Sequence, residues 1–310
     1  MSGIWIYSED KSIARQLITA GLNLKETINQ PVGVITLSSE EAQGFVAAGA
    51  DKVVVLKGSQ KSPEGHVATI ANYLTKEEVS VFLVGATPRG KDVAAKIAAL
   101  LKMGLVTEAQ TITWVEGHIE TTRLMYGGLA VATESVTLPA IVTIPARTFE
   151  EPPADNSKQG DIHILEAEAA DARVTVNEIS PIVRDGADIT AASRIVCVGR
   201  GLAKQEDLAI AEELAKALNA EIACSRGIAE DYHWLPVERY IGISGQKVKP
   251  ELYLSLGISG QVQHLAGMRD SKIVVAIDSN EKAPIFDAAD YGIVGDLYEV
   301  APLLTKALQK

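Results

Sequence analysis

The stretch ELYLSLGISGQVQHLAGMRDSKIVVAI, residues Glu251–Ile277, decides the fold of the second half of the chain. It opens with a strand-like run, Glu251–Leu256, which leads into the glycine-rich turn Gly257–Gly260 and then into a helix. A second apolar run, Lys272–Ile277, follows the helix. Two strands joined by a short turn and a helix form a parallel βαβ unit. The stretch therefore predicts a doubly wound parallel sheet.

The same unit recurs on both sides of this stretch. The other strands predicted in the second half are Ile195–Val198, Glu221–Cys224 and Tyr291–Val294, with helices around Glu206–Leu218 and Tyr298–Leu308. Ligands of such sheets bind at the carboxyl ends of the strands. We therefore expect a Rossmann-like ligand-binding domain here.

Strands and helices also alternate in the first half. The predicted strands are Ile4–Tyr7, Val32–Leu37, Val53–Leu56 and Val81–Val84, and the predicted helices are Ser12–Gly21, Glu40–Ala48 and Lys91–Lys102. Ser38–Ser39 is the expected cap of the second helix. Apolar, non-alternating strands of this kind indicate a second parallel sheet covered on both faces, in a domain that resembles a nucleotide-binding one. In the segment Gly85–Gly90, Thr87 and Pro88 are typical of a plain helix start, and this is favoured over a nucleotide site.

An antiparallel addition is predicted in the middle of the chain. Thr111–Val115, His118–Leu124 and Ser135–Ile144 alternate polar and apolar residues, and Gly127–Gly128 provides a turn. A domain boundary is expected at Arg184–Ala187. The fold class is therefore α/β with two doubly wound, mostly parallel sheets, in domains 1–187 and 188–310.

Composition excludes several classes of function. The 310 residues carry a net charge of −11, without a basic cluster interleaved with aromatics, which argues against nucleic acid. No apolar run reaches the roughly 18 residues of a membrane span, and a cytoplasmic location is expected. Neither the histidines nor Cys197 and Cys224 have metal-binding spacing, so no metal site is predicted and the two cysteines are expected to be buried thiols.

Chemistry-bearing residues follow several strands of the second half. Arg200 lies between two glycines, Ser225 precedes Arg226, and Ser259 and His264 belong to the run GISGQVQH. Strand ends of a parallel sheet share one edge, so these groups can converge. Ser259 as a helix N-cap, with Gly260 and His264 on one helix face, would suit a phosphate and a ring of one dinucleotide. Taken singly, the glycine turns are more typical of packing and the histidine of a structural residue, and Arg226 is as typical of a surface ion pair as of a ligand contact.

Two longer segments carry a family resemblance. Pro250–Ile277, followed by APIFDAADYGIVGDL at Ala283–Leu297, resembles the signature of the electron-transfer flavoprotein alpha subunit. VGRG at Val198–Gly201 and CSR at Cys224–Arg226 match in order, and the resemblance extends over the N-terminal half. The segment ERYIGIS, Glu238–Ser244, is similar to the bacterial Fix-type branch, whose members serve anaerobic carnitine or acyl-CoA reduction or nitrogen fixation.

The resemblance implies a heterodimer whose alpha subunit holds FAD in its C-terminal domain and packs on a beta subunit through its N-terminal domain. Arg226 would lie against the isoalloxazine ring and stabilise its reduced, anionic form, and Ser244 would direct its hydroxyl to the flavin N5 edge. The residues implied to bind FAD are Arg200, Ser225, Arg226, Ile241, Gly242, Ile243, Ser244, Gly257, Ile258, Ser259, Gly260, Gln261, Val262, Gln263, His264, Asp278, Asp296 and Leu297.

Three departures from the family pattern bear on this site. The usual loop Gly-Gln-Thr-Gly is Gly242-Ile243-Ser244-Gly245 here, which keeps a hydroxyl and loses an amide. The usual Asn-Lys after the fourth strand is Asp278-Ser279, and the stretch between Arg226 and Pro236 is one residue longer. These departures are expected to shift flavin potential or affinity without removing the site.

The predicted function is electron relay by an FAD carrier rather than catalysis by a stand-alone enzyme. FAD would pass electrons between an acyl-CoA-type dehydrogenase or reductase and a second redox partner. Two alternatives stay open at this point. The chain could belong to an NADH-dependent electron-bifurcating complex, or it could be a non-redox module that binds NAD or another nucleotide.

Overall fold

The computed structural model describes residues 3–58, 62–167, 176–180 and 188–309. The chain divides into two compact units, Met1–Ser180 and Pro181–Lys310. The predicted boundary at Arg184–Ala187 lies outside the described residues. Among the residues described, no helix has both the length and the apolar character that crossing a membrane requires.

The first unit contains ten strands and four helices in its described part. The strands are β1 Ile4–Tyr7, β2 Val32–Thr36, β3 Lys52–Lys57, β4 Val81–Gly85, β5 Gly104–Val106, β6 Thr111–Val115, β7 His118–Met125, β8 Ala130–Thr137, β9 Ala140–Ile144 and β10 Asp161–Glu166. The helices are α1 Lys11–Ile28, α2 Ala42–Ala48, α3 Val67–Lys76 and α4 Pro88–Leu101. The main sheet has the order β10-β3-β2-β1-β4-β9-β5, and all its pairs are parallel.

Burial explains why this sheet is parallel and central. Every residue of β1, β2, β4 and β9 is buried, and separate apolar clusters cover the two faces of the sheet. Strands buried on both faces can only form where helices lie on each side. The predicted parallel sheet is therefore confirmed, and Thr87 caps α4 by accepting from the Gly90 N–H at 2.8 Å, with Pro88 in the first helical position.

The antiparallel addition differs in detail from its prediction. Strands β6, β7 and β8 form a separate antiparallel sheet rather than an extension of the main one. The predicted strand Ser135–Ile144 is two strands, because Pro139 has no N–H to donate to a ladder and interrupts the pairing. After this break β9 enters the main sheet beside β4.

Two predicted helix limits are wrong. Helix α1 continues past Gly21 to Ile28, since Gly21 packs closely on Ile6 and Val32, and Asn29 in the left-handed conformation ends the helix. Helix α2 begins at Ala42 after Glu41, so Ser38–Ser39 does not cap it.

The second unit has five strands and three helices among the described residues. The strands are β11 Arg194–Val198, β12 Glu221–Cys224, β13 Leu252–Leu256, β14 Val274–Asp278 and β15 Tyr291–Val294, and the helices are α5 Leu208–Leu218, α6 Val262–Met268 and α7 Leu297–Leu308. The sheet order is β12-β11-β13-β14-β15, and every pair is parallel. The predicted doubly wound sheet is confirmed, and Cys197 and Cys224 are buried in it as free thiols.

This strand order places a crevice at one point of the sheet. From β11 the chain continues to β12 on one side, whereas β13 lies on the other side of β11. Ligands of open α/β sheets bind where the winding direction reverses, beyond the carboxyl ends of the strands. In this unit that point lies between the turns that follow β11 and β13.

Candidate cofactor site

The turns after β11 and β13 are packed against each other. The Gly201 N–H donates to the Gly257 carbonyl at 3.0 Å. A Cβ on Gly201 would lie 2.5 Å from the Gly257 Cα, and one on Gly199 would lie 2.3 Å from the Gly257 carbonyl oxygen. These glycines are thus required where two backbones approach each other. From the sequence, these glycines could serve either packing or a ligand. The structure shows that close backbone packing requires Gly199, Gly201 and Gly257.

Gly260 plays a similar part further along the second turn. Its φ is +78°, and a Cβ would lie 2.3 Å from the Ile285 nitrogen. The Ile285 N–H donates to the Ser259 carbonyl at 3.1 Å. These contacts hold residues 257–261 as a loop, and α6 begins only at Val262. Ser259 is therefore not the helix N-cap, and Gly260 does not share a helix face with His264; both predictions are wrong.

The loop still offers hydrogen-bond donors for an anion. Within the described part of the chain, the backbone N–H groups of Ser259, Gly260 and Gln261 have no hydrogen-bond partner. Consecutive free N–H groups in a turn form an anion-binding concavity. The predicted phosphate contact thus shifts from a helix terminus to the loop before it.

These turns border a cleft of about 700 Å³. Its lining comprises Gly199, Arg200, Gly201, Ser225, Arg226, Gly227, Asp231, Tyr240, Ile241, Gly242, Ser244, Gly257, Ile258, Ser259, Gly260, Gln261, Gln263, His264, Asp278, Ser279, Gly295, Asp296 and Leu297. The fold brings all the predicted site residues together here except Ile243 and Val262. Ile243 is 47% exposed, and Val262 is the first residue of α6.

The loop that carries Ser244 is fixed to its neighbours through the backbone. The Ile241 N–H donates to the Cys224 carbonyl, and the Ile243 N–H donates to the Gln263 carbonyl, both at 2.9 Å. The Ser244 Oγ lies 2.9 Å from the Tyr240 Oη. Tyr240 lines the cleft and lies in the segment Glu238–Ser244, but it was not predicted as a site residue because its role depends on this side-chain contact.

Charges of both signs surround the cleft. Arg226 pairs with Glu230 at 2.6 Å, and this hydrogen bond raises the pKa of the guanidinium further. The stem of Arg200 lies over Gly227, where a Cβ would approach its Cδ to 2.9 Å. Gly227–Asp231 forms a π-helical turn directly after Arg226. The lining residues Gly227 and Asp231 belong to no motif of the sequence, and Gly295 was not predicted although it lies in the signature segment Ala283–Leu297.

Besides Asp231, the lining has two carboxylates, Asp278 at the end of β14 and Asp296 directly before α7. Asp278 Oδ1 accepts from the Asn280 N–H at 2.8 Å, and Asp296 Oδ1 accepts from the Tyr298 N–H at 2.9 Å. Each carboxylate thus has a second oxygen available to a ligand. Carboxylates at strand ends of such sheets accept hydrogen bonds from ribose hydroxyls.

His264 is buried at the inner wall of the cleft. Its Nε2 lies 2.7 Å from the Tyr253 Oη, whereas Nδ1 makes no well-formed hydrogen bond to any described residue. Burial lowers the pKa of the imidazole to about 4, an effect that the backbone of Ile241 partly offsets. The imidazole is therefore neutral at pH 7 and has one ring nitrogen left for a ligand.

These features fit a dinucleotide. The cleft has the volume of a typical cofactor site and lies at the switch point of the sheet. Free loop N–H groups and two arginines suit a pyrophosphate, carboxylates suit ribose, and the unsatisfied His264 Nδ1 suits a polar ring edge. The corresponding point of the first unit is different, since Thr87 donates there to the Glu9 carboxylate beside the start of α4. An acidic side chain at that position disfavours a phosphate.

Comparisons with known proteins identify the family of the chain. The family model of the electron transfer flavoprotein domain matches residues 5–170, and that of the electron transfer flavoprotein FAD-binding domain matches residues 188–269. YdiR of Escherichia coli (strain K12) is 37% identical across 100% of this chain and 99% of the relative. Protein FixB of Escherichia coli (strain SMS-3-5) and of Shigella dysenteriae serotype 1 (strain Sd197) are each 36% identical with the same coverage.

The second unit thus matches a domain that binds FAD, and the full length of the chain matches FixB proteins. The sequence resemblance is confirmed for the family and for the cofactor. The chain belongs to the electron transfer flavoprotein family as an FAD-binding subunit of the alpha (FixB) type.

Proposed function

We propose that this chain relays electrons as the FAD-carrying subunit of a heterodimer with an electron-transfer flavoprotein beta subunit. The electrons pass between a dehydrogenase or reductase of acyl-CoA or carnitine metabolism and a second redox partner. The observation that carries the proposal is the cleft between β11 and β13, which joins free backbone donors, two arginines and a neutral buried histidine. The resemblance of Glu238–Ser244 to the Fix-type branch supports the metabolic assignment.

The cleft residues divide by the part of FAD that each would hold. The loop N–H groups of Ser259–Gln261, with Arg200, would hold the pyrophosphate, and Asp278 and Asp296 would accept from hydroxyl groups of the ADP half. Arg226, Ser244 and His264 would face the isoalloxazine ring. FAD supplies the ability to accept and release electrons singly or in pairs. The protein contributes orientation, and its charges and donors set the flavin potential.

Ser244 needs a partner that fixes its hydroxyl, and Tyr240 provides one. The two oxygens lie 2.9 Å apart, so one hydroxyl donates to the other. If the Tyr240 hydroxyl accepts from Ser244, the serine proton is used and only the lone pairs of the serine oxygen remain available. If the Tyr240 hydroxyl donates to Ser244, the serine proton is free to donate to the flavin. The second arrangement supports a hydrogen bond from Ser244 to the flavin N5 edge.

An exposed apolar surface supports the partner assignment. At the β7–β8 hairpin, Tyr126 is 78% exposed, Leu129 75% and Val131 63%. Adjacent exposed apolar side chains are typical of protein interfaces. They lie in the first unit, the one that the family resemblance assigns to packing on the beta subunit.

Co-expression with the product of the neighbouring gene tests the proposal. We expect a yellow heterodimer with flavin absorption bands, and FAD in the extract after denaturation. Arg226→Ala should lower the flavin potential in potentiometry, since it removes a positive charge from the site. A colourless heterodimer that FAD does not reconstitute would reject the proposal, and an unchanged potential would remove Arg226 from its role. Two FAD per heterodimer, with NADH-dependent reduction, would favour the bifurcating complex instead.

A further inference from the structure

Behind the cleft, the buried side chains of Cys197, Tyr253 and His264 interact. Tyr253 on β13 is fully buried, and its hydroxyl lies 2.7 Å from His264 Nε2. The same hydroxyl interacts with the thiol of Cys197 on the neighbouring strand β11. All three residues are buried within the second unit, and Cys197, Tyr253 and the surrounding apolar side chains belong to one core cluster. Water therefore does not compete for these hydrogen bonds.

The direction of the hydrogen bond follows from the groups on either side. Burial raises the pKa of Tyr253 and that of Cys197, so the phenol and the thiol both keep their protons. The neutral imidazole carries a single proton, on one of its two nitrogens. The backbone of Ile241 interacts with the ring as an acceptor, because its N–H already donates to the Cys224 carbonyl. Nε2 is the ring nitrogen that faces the Tyr253 hydroxyl, so a phenol that donates there leaves the ring proton on Nδ1.

We propose that Tyr253 is a positioning residue for His264: its hydroxyl donates to Nε2, holds the imidazole proton on Nδ1, and so makes Nδ1 a hydrogen-bond donor for the cofactor. The inference about the cofactor rests on the proposed function. Oxygens at the pyrimidine edge of a flavin accept hydrogen bonds, so only this tautomer offers that edge a donor. Without the hydroxyl, the proton is free to move to Nε2, and Nδ1 would then present a lone pair to the same edge.

The tautomer can be measured directly in the full heterodimer. Histidine labelled with 15N on its ring gives separate shifts for protonated and unprotonated nitrogens, and His264→Gln identifies the signals of residue 264. We expect a protonated Nδ1 and an unprotonated Nε2 in the unsubstituted protein with and without FAD. A protonated Nε2 would overturn the proposal without any need for a variant.

Tyr253→Phe then tests the cause, with Ser255→Ala as the matched control. Ser255 lies two residues along β13 and is also buried, but its hydroxyl contacts neither His264 nor any other described partner. We expect Tyr253→Phe to shift proton occupancy towards Nε2 and to weaken FAD binding about three- to tenfold, the effect of one hydrogen bond. Ser255→Ala should change neither, and an unchanged tautomer in Tyr253→Phe would overturn the proposal.

The two readouts separate this inference from the proposed function. A protonated Nδ1 in a heterodimer that never binds FAD would reject the function and leave the positioning role of Tyr253 intact. FAD binding together with a protonated Nε2 would support the proposed function and reject the positioning role of Tyr253. Circular dichroism of both variants shows whether the fold is retained, and the unsubstituted protein still decides the tautomer if Tyr253→Phe does not fold.

Discussion

Arg226 enters the cleft as one half of an ion pair. Its Nε lies 2.6 Å from Glu230, one helical turn further along the chain, and both side chains are accessible to solvent. A carboxylate so close offsets part of the positive charge that the flavin would experience. The effect of Arg226 on the cofactor therefore depends on Glu230, which does not line the cleft itself.

Glu230→Gln should raise the flavin potential, because it removes the negative charge and leaves Arg226 in place. The expected shift is tens of millivolts, opposite in sign to that of Arg226→Ala, and potentiometry of the heterodimer measures it. Glu238→Gln, the same charge change at another exposed position of this segment, is the control. A shift of equal size in both variants would show that overall charge, not the ion pair, determines the potential.

His264 makes the stability of the second unit dependent on pH. Its pKa of about 4 in the folded protein lies below the ordinary value of 6.5, because burial disfavours the charged ring. Between these values the unfolded chain binds the proton and the folded chain does not. The contribution of His264 to the free energy of unfolding is therefore constant above about pH 6.5. It falls by up to about 3 kcal/mol as the pH is lowered towards 4.

Urea unfolding of the FAD-loaded heterodimer, followed by flavin fluorescence, measures this dependence. The midpoint should fall between pH 7 and pH 5 in the unsubstituted protein, and less so in His264→Gln, which has no ionisable group at this position. Equal pH dependence in both proteins would assign the effect to other groups.

The loop between β13 and α6 shows what can and what cannot be predicted at the scale of one element. The strands and helices around it follow from the apolar runs and the glycines, which are local signals. The start of α6 does not, because the pattern Ser-Gly-Gln-Val is compatible with a helix that begins after Ser259 or after Gln261. The choice is made by Gly260 and by its contact with Ile285, which is distant in sequence.

The residues of the candidate site could likewise be predicted only in part from the sequence. Residues at strand ends, such as Arg200 and Arg226, were found because the topology of a parallel sheet brings strand ends together. Tyr240 and Tyr253 were not found, because each acts through a hydrogen bond to another side chain. The break at Pro139 between β8 and β9 was missed because the apolar run Ala140–Ile144 was joined to the alternating residues before the proline.

Gly260→Ala should disrupt this loop. The added Cβ would lie 2.3 Å from the Ile285 nitrogen, a backbone atom that cannot move alone, and the φ of +78° is unfavourable for alanine. We expect a loss of more than about 2 kcal/mol in stability and a loss of bound FAD. Thermal unfolding and flavin content of the heterodimer provide the measurements.

Gly117→Ala is the matched control for backbone strain. Gly117 also has a positive φ, of +94°, but an added Cβ there meets nothing within 4 Å. It should cost about 1 kcal/mol and leave FAD content unchanged. Similar effects of the two substitutions would mean that the contact with Ile285 is unimportant.

At the scale of the whole molecule, the two units share an architecture but differ, in their described parts, at the point where the strand order reverses. Both have parallel sheets with a reversal in strand order. In the second unit the reversal opens into a cleft with free backbone donors and arginines. At the corresponding point of the first unit, the Thr87 hydroxyl donates a hydrogen bond to the Glu9 carboxylate. The described part of this unit instead exposes apolar side chains at the β7–β8 hairpin. The same topology thus supports a cofactor site in one unit and, we infer, a partner surface in the other.

This division of roles predicts which parts of the chain exchange faster when FAD is removed. All the cleft residues lie between Gly199 and Leu297, within the second unit. Hydrogen–deuterium exchange of the heterodimer with and without FAD should therefore show faster exchange in peptides that cover Gly199–Gly201, Ser225–Asp231 and Gly257–His264. Peptides from β1 to β4 should be unchanged, because a ligand protects only the groups that it contacts or orders.

Reloading with FAD should restore the slow exchange, which controls for irreversible damage. If β1 and β4 exchanged faster as well, the stability of the first unit would depend on the cofactor, and the separation of cofactor binding from partner packing would be wrong.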